Sequence, residues 1–576
     1  MRLAGRRISG PKGPGLGRRR ESLSAHDDHV EGLLEQYIEQ GIDRRQFFKR
    51  AGALGLSMSA ASALLAPVAS AARRVPAAAA LTRGGTFIEG YDRDFTKMDS
   101  AQSGWADPGY YALYEFTMIR DVKGKIVPAM AESWTISPDG KTWTLHIRKG
   151  LKFQSGAPCT AKDVAENFNV FRGPKTGQNA IFWPPMTVSE GPNNTVVLKL
   201  KKPDAALPET LATEYSMIEN LAMRRKLGAK YGATGADGTG PFKLTEFTPG
   251  KQVRVTRWDA YPGSNIPFLQ NHGKAYVNEV RWVPITQASG RANEMESGTV
   301  HAVKNPAGQD VGRLKGDSNL VVQEWPAIAN SFMSPNWGLK TLGFNDIRVR
   351  QALSHAIDRV GIAKSVFFGH AVPTYGPIAP NFKWYNHAVE QYNQFDPGKA
   401  AKLLDQAGWV KGSSGIREKN GQKLSFTHLD WAAQAQGKLI MEAIVPMMKN
   451  IGVEMTVKSL ESAAFFPAYP KSQSFGYEWL WSAPVDVLVI FNVIPSPAYN
   501  GGLKDLKAAF TQWQTAKNDK QLQAAAQKVQ LIWAAKLPKI PIVTRNDIWV
   551  HSKKVHGWNP TQTMLYPLYN DVWVEH

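Results

Sequence analysis

The chain has 576 residues, with 69 Lys+Arg against 49 Asp+Glu and a formal net charge of +20. Hydrophobic content of 43% and charged content of 20% exclude disorder throughout, and the length gives room for three or four domain-sized units. The single cysteine, Cys159, excludes an intramolecular disulfide and any zinc or iron–sulfur site built on cysteines.

The first 50 residues carry basic clusters at Arg6-Arg7, Arg18-Arg19-Arg20 and Arg44-Arg45, and Val30, Leu33, Leu34, Tyr37 and Ile38 recur at helical spacing. Arg44, Arg45, Phe47, Phe48 and Lys49 then lead into a weakly apolar run from Ala51 to Ala66 and an Ala69-Ser70-Ala71 cleavage pattern. This order resembles a twin-arginine export signal, so residues 1–72 are expected to be an address that is removed. The segment from Ala51 to Ala72 is about long enough to span a membrane, but Gly, Ser and Ala dominate it and Pro67 interrupts it. No cysteine lies near the cleavage site, so no lipid anchor is expected there. The expected product is soluble and retained in a periplasm. Its remaining charges are scattered in pairs such as Lys201-Lys202, Arg224-Arg225 and Lys553-Lys554, with no basic stripe interleaved with aromatics, which argues against nucleic-acid binding.

Strand signals open the rest of the chain. Trp134-Thr135-Ile136 runs into Ser137-Pro138-Asp139-Gly140 and returns through Trp143, Leu145 and Ile147, which alternate with polar residues; this predicts a hairpin. A second hairpin is predicted from Phe242 to Phe247, through Pro249-Gly250, to Val253, Val255 and Arg257. Asn345-Asp346 caps a predicted helix whose face holds Val349, Leu353, Ala356 and Val360. Asp396-Pro397 opens another that should stop at Gly408. Leu439, Ile440, Ala443, Ile444, Met447 and Met448 predict a helix adjusted at Pro446, followed through Gly452 by an alternating strand of Val453, Met455 and Val457. Such helix–strand alternation predicts an α/β lobe.

Several of these segments coincide with the signature of one family. Ala131-Glu132-Ser133-Trp134, Ser137 to Arg148, Lys152-Phe153, Gly156 and Thr160 to Val164 form one block. Gly238-Thr239-Gly240-Pro241-Phe242, Asn345 to Leu353, Asp396 to Ala400 with Ala407-Gly408-Trp409, and Ile451-Gly452-Val453 follow in order. Together they resemble the extracytoplasmic solute-binding proteins of ABC transporters, family 5, the peptide/nickel type. The resemblance implies an α/β, two-lobed periplasmic-binding-protein-like fold of type II, with an additional small domain in the first lobe. Expected bounds are 84–300 for lobe I, with the extra domain at about 112–225, then 301–525 for lobe II and 526–576 returning to lobe I. It also implies a monomer that holds a solute between its lobes and presents it to an inner-membrane permease. No catalysis, cofactor or resident metal is expected. Cys159 then reads as a small residue before a helix.

The family's peptide binders anchor the ligand's ammonium with an aspartate in a Gly-Trp-x-Ala-Asp-like segment, sound physics for a buried cation. Here the segment reads Leu480-Trp481-Ser482-Ala483-Pro484-Val485-Asp486, with Pro484 where the aspartate should stand and Asp486 two positions on. The resemblance therefore names Trp481 and Asp486 as ligand-binding candidates, together with Trp479, Trp431 in a loop before a helix, Asn336, and Tyr111 beside Tyr110. Asn336 can equally serve the hinge backbone, and one of the two tyrosines is expected to reach the cleft. Arg348 and Arg350 begin a scaffold helix and are expected to be structural. The 12 histidines show no His-x-x-x-His or Glu-flanked zinc motif.

The main expectation is a receptor for a peptide or peptide-like solute. The alternative is the same receptor for an oligosaccharide, an opine-like conjugate or a metal complex. An exported enzyme is more remote: the Gly232–Gly240 stretch lacks the order of a phosphate loop, and no Gly-x-Ser-x-Gly elbow is present.

Overall fold

The computed structural model describes Lys49, Ala51 and residues 81–575, apart from 96, 102–106, 174–179, 181–182, 206, 328, 381–383, 433 and 481–502. Within the N-terminal unit, Met1–Leu81, Lys49 is helical and exposed and Ala51 is helical and buried. Arg44, Arg45, Phe47 and Phe48 lie outside the described residues.

The second unit, Thr82–His576, starts with β1 (Thr86–Tyr91) and α1 (Pro108–Leu113). A small layer follows: β2 (Ala131–Ile136), β3 (Thr142–Ile147), α2 (Ala161–Phe171), β4 (Met186–Gly191) and β5 (Thr195–Leu200). Next come β6 (Phe242–Thr248), β7 (Gln252–Arg257), β8 (Glu279–Pro284), β9 (Ala302–Lys304) and β10 (Leu320–Pro326). The second half holds β11 (Ala329–Pro335), α3 (Ile347–His355), α4 (Arg359–Ser365), β12 (Ala371–Pro373), α5 (Pro397–Gln406), β13 (Ser425–Trp431) and α6 (Ala435–Asn450). It closes with β14 (Glu454–Leu460), α7 (Ser462–Ala468), β15 (Ser474–Leu480), α8 (Lys504–Gln514), α9 (Asp519–Lys536), β16 (Ile540–Pro541) and β17 (Val543–Ser552).

Two sheets carry the two lobes. The first runs β10-β17-β9-β1-β8-β7-β6, with β12 beside β17; the second runs β14-β13-β15-β11-β16. In the first, β1 lies parallel between β8 and β9; in the second, β13 lies parallel between β14 and β15. The strand before each crevice therefore has later strands on both sides, the arrangement that places a binding crevice at the carboxyl edge of a sheet. Apart from the short β12, which pairs with the first residues of β17, the chain changes sheets twice, between β10 and β11 and between β16 and β17. The two crossings are tied together: Ala327 N–H donates to Arg545 O at 2.9 Å and Ile542 N–H to Ser331 O at 2.9 Å. Residue 300, the expected boundary, falls before β9 and β10, which belong to the first sheet. Likewise α9 packs through Val529 and Trp533 with Trp431 and Phe475 of the second lobe, so the chain stays there past residue 526.

Local chemistry explains the elements. The β2–β3 turn closes with Gly140 N–H donating to Ser137 O at 2.8 Å, with Gly140 at φ +71°, and it buries Trp143, Leu145 and Ile147 on one face. This layer, ordered β2-β3-β5-β4 against α2, has its own core, which includes Cys159. Burial pushes the Cys159 thiol well up, so it packs as a small neutral side chain. Thr160 N–H donates to Asp163 Oδ2 at 2.8 Å to start α2. Asp346 Oδ1 caps α3 through Arg348 N–H at 2.9 Å, and Asp396 Oδ1 caps α5 through Lys399 N–H at 2.8 Å. The expected Val349–Val360 face is interrupted. Asp358 caps a new helix, α4, through Gly361 N–H at 2.8 Å, and Val360 is exposed while Ile362 is buried. On α6, Leu439 is exposed and Met441 joins Ile440, Ile444 and Met448 inside.

Candidate functional site

The first-lobe edge of the crevice begins where β1 ends. The register Glu89–Ala302 and Gly90–Val303 brings Lys304, the last residue of β9, beside Tyr91. Tyr91 OH donates to Asp107 Oδ1 at 2.9 Å and meets Tyr566 OH at 2.9 Å. Arg93 donates from Nε to Tyr91 OH at 2.7 Å and from Nη2 to Tyr566 OH at 2.8 Å. Lys304 Nζ lies 3.5 Å from Asp547 Oδ2 and 4.5 Å above the Trp549 ring, and Arg545 pairs with Asp547 Oδ1 at 2.6 Å. Burial alone would raise Asp92 and Asp547, but Arg93 with other cations, and Lys304 with Arg545, hold these carboxyls below their ordinary value. Burial pushes the Tyr91 and Tyr566 phenols up, so both stay protonated.

The second-lobe edge is aromatic. Strand β13 extends through Trp431, so Trp431 is a strand terminus rather than the expected loop residue. It is buried, stacked on Phe465 at 6.3 Å and edge-on to the exposed ring of Phe466 at 5.4 Å. Beneath it, Asp430 is fully buried, with Ser459 Oγ donating to Oδ2 at 3.2 Å. A Cβ on Gly437, in the first turn of α6, would stand 2.5 Å from Asp430 Oδ1, so glycine there makes the room the carboxyl occupies. Burial pushes Asp430 up to about 7 and His428, paired with Ser474 Oγ at 2.9 Å, down to about 3. Both groups are therefore poised towards their neutral forms.

The small layer closes on the second lobe. Ala205 N–H donates to Gln514 O at the end of α8 at 2.8 Å, and Tyr215 packs against the cluster that holds Phe332, Trp431, Phe475 and Trp513.

The remaining candidates fall as follows. Tyr111 is buried edge-on against Phe116 at 5.1 Å and Tyr566 at 5.5 Å, at the first-lobe edge, while Tyr110 OH donates to Lys97 O at 2.7 Å. Asn336 is buried; its Nδ2 donates to Ser472 O at 2.8 Å and its Oδ1 accepts from Gly338 N–H at 2.9 Å, a turn within the second lobe. The backbone of Trp479 stands opposite Asn330 in β15. Trp481, Pro484 and Asp486 lie outside the described residues. Arg350 donates to the carbonyls of Phe344, Lys536 and Leu537, closing the end of α9, and Arg348 pairs with Asp346. Arg93, Lys304 and Tyr566 were not singled out in the sequence. The signal available was a charge at a core position, as in Val303-Lys304 and the Arg545-x-Asp547 pair between the apolar runs Ile540–Val543 and Ile548–Val550. Among the described residues no three His, Cys, Asp or Glu side chains are grouped to hold a metal ion, and no helix is long and apolar enough to cross a membrane.

With two carboxyl edges and a double crossing in place, comparison with known proteins is decisive for the family. Residues 125–486 match the model of bacterial extracellular solute-binding proteins, family 5 middle. The chain belongs to this family. The glutathione-binding protein GsiB of Escherichia coli K12 is 25% identical over 528 residues, covering 88% of this chain and 96% of that protein. The dipeptide-binding protein of Escherichia coli K12 is 27% identical over 349 residues, 57% of this chain, and the match spans only 62% of that protein. Among solved structures, the periplasmic binding protein DppA of Helicobacter pylori, in complex with the peptide STSA, superposes with a TM-score of 0.72 at 22% identity, covering 86% of this chain and 99% of that one. These relatives are binding proteins rather than enzymes, and the fold of this family member is a two-lobed α/β binding-protein fold.

Proposed function

We propose that the protein is the substrate-binding component of an ABC importer, capturing a peptide or peptide-like solute between its lobes and delivering it to an inner-membrane permease. The nearly end-to-end likeness to a glutathione-binding protein carries this reading. The topology supports it: each lobe has a strand set parallel between two later ones, and two tied crossing segments join the lobes, an arrangement in which hinge closure can enclose a solute. In this reading the first lobe comprises residues 84–326 and 543–575, and the second 329–541. It acts as a periplasmic monomer, exported through the Arg44-Arg45 signal and without a lipid anchor. Trp431, Trp479, Trp481, Asp486 and Tyr111 contact the solute, and Asn336 shapes the turn behind them. Pro484, in place of the family's ammonium-binding aspartate, favours as second reading a non-peptide solute on the same scaffold.

Thermal unfolding of the purified protein with glutathione, the dipeptide Met-Leu and the peptide STSA tests the proposal. A ligand of the native state raises the midpoint with concentration, by about 2.7 kcal/mol of stability at a hundred times Kd. A concentration-dependent rise with at least one peptide is expected. Shifts confined to sugars or opines would move the assignment to the second reading.

A further inference from the structure

The cations of the first-lobe edge are used in different ways. Arg291 gives its guanidinium to the carbonyls of Ile285, Thr286 and Asn305, tying the residues after β8 to the residue after β9. Arg545 and Lys304 share Asp547. Arg93 is different: two neutral phenols orient it, Asp92 stands 4.0 Å away, and 26% of its side chain reaches solvent. It directly follows β1, at the carboxyl edge where a crevice is expected.

We infer that Arg93, backed by Lys304, receives an anionic group of the solute at the first-lobe edge, a terminal carboxylate in the peptide reading on which this inference rests. The planar fork of a guanidinium suits a carboxylate, and an arginine already fixed by Tyr91 and Tyr566 loses little further freedom when it binds one. The solute is thereby oriented, with its acid towards the first lobe and its apolar part towards Trp431 and Phe466.

The test is calorimetric titration of the full chain with Met-Leu and with Met-Leu amide, using wild type, Arg93→Gln and Arg93→Lys. Thermal unfolding of each variant checks that the fold is kept. The amide is expected to bind wild type at least about tenfold more weakly than the acid. In Arg93→Gln the two should fall within about threefold, and Arg93→Lys should retain part of the preference. Equal binding of acid and amide to wild type, or an equal loss of both in Arg93→Gln, would overturn the assignment. Octopine, a non-peptide acid, and maltotriose, a neutral solute, separate this inference from the peptide reading. Octopine binding that Arg93→Gln removes keeps the anion site while the peptide reading fails. Binding of maltotriose alone, or of none of the four probes, removes the anion site.

Discussion

The two lobes present the same topology to the crevice and opposite chemistry. In each, a strand parallel to two later neighbours ends at the carboxyl edge. At the first edge the polar groups are ions held as ions: Asp92 and Asp547 stay charged because arginines and a lysine surround them. At the second, burial outweighs the Lys438 charge and the hydrogen bonds around Asp430, and nothing offsets it at His428, so both are pushed towards neutrality beside a cluster of aromatic rings. Topology supplies the place, and the residues at strand ends decide what the place can bind. Asp547 is therefore a support at the first edge and Asp430 a burden at the second.

The sharpest way to break this contrast is to remove one carboxylate from each lobe. Asp547→Ala strips Lys304, whose ammonium is almost fully buried, of its carboxylate partner. Breaking a buried pair by removing one partner costs about 3–5 kcal/mol. Urea unfolding should show a loss of that size, and a loss below about 1 kcal/mol would mean that Asp547 does not hold the edge together.

In the second lobe the sign reverses. Asp430 has its carboxyl raised to about 7 in the folded chain from an ordinary 3.8. A raised acid contributes stability that is present below the unfolded value and is lost as pH climbs through the folded one. Asp430→Asn should therefore leave stability near pH 4 almost unchanged and raise it at pH 8 by about 2–4 kcal/mol, flattening the profile between. Glu89 and Glu219, buried and also raised to about 7, tilt the wild-type profile the same way. Glu324 tilts it oppositely: burial would raise it, but Lys315, Asn546 and His370 lower it to about 2. Its support is lost as pH falls from about 4.5 towards 2, so wild-type stability should peak at about pH 4 to 4.5 and decline from there towards pH 7. Unfolding midpoints from pH 3 to 9 measure both limbs; a variant profile parallel to that of wild type would show that Asp430 is not the titrating group.

The parts of this architecture that local chemistry dictates were legible in the sequence. Ser137 to Gly140 can turn only one way comfortably, and Asp346 and Asp396 cap helices with their own side chains, so those elements needed no tertiary knowledge. The misplaced face at Val360 shows the limit. An apolar period continued on paper, yet Asp358 restarted the helix and turned Val360 outwards. The first-lobe edge was illegible for a different reason. Its residues come from positions 91–93, 304, 545–547 and 566, and no spacing along the chain announces that β1, β9 and β17 lie side by side. Buried charges within strands were the one available trace. Trp431, by contrast, was visible as an aromatic between a strand and a helix, and only its burial beside Phe465 required the fold.

The smallest expected effect concerns what joins the two edges. Tyr215 and the Ala205 amide come from the small layer of the first lobe and touch α8 and the aromatic cluster of the second. Such contacts exist only when the lobes are together, whereas the crossing strands persist whichever way the hinge stands. Tyr215 is partly exposed, so Tyr215→Ala should cost the fold little, under about 1 kcal/mol. Its loss should be felt instead in how long the closed state lasts. Stopped-flow displacement of a bound peptide should show dissociation faster by about 3–10-fold with association nearly unchanged, because contacts formed after encounter act on the off-rate. A slower association with unchanged dissociation would place Tyr215 on the path of entry rather than in the closure. The small layer would then hold the second lobe through the Ala205–Gln514 hydrogen bond without help from Tyr215.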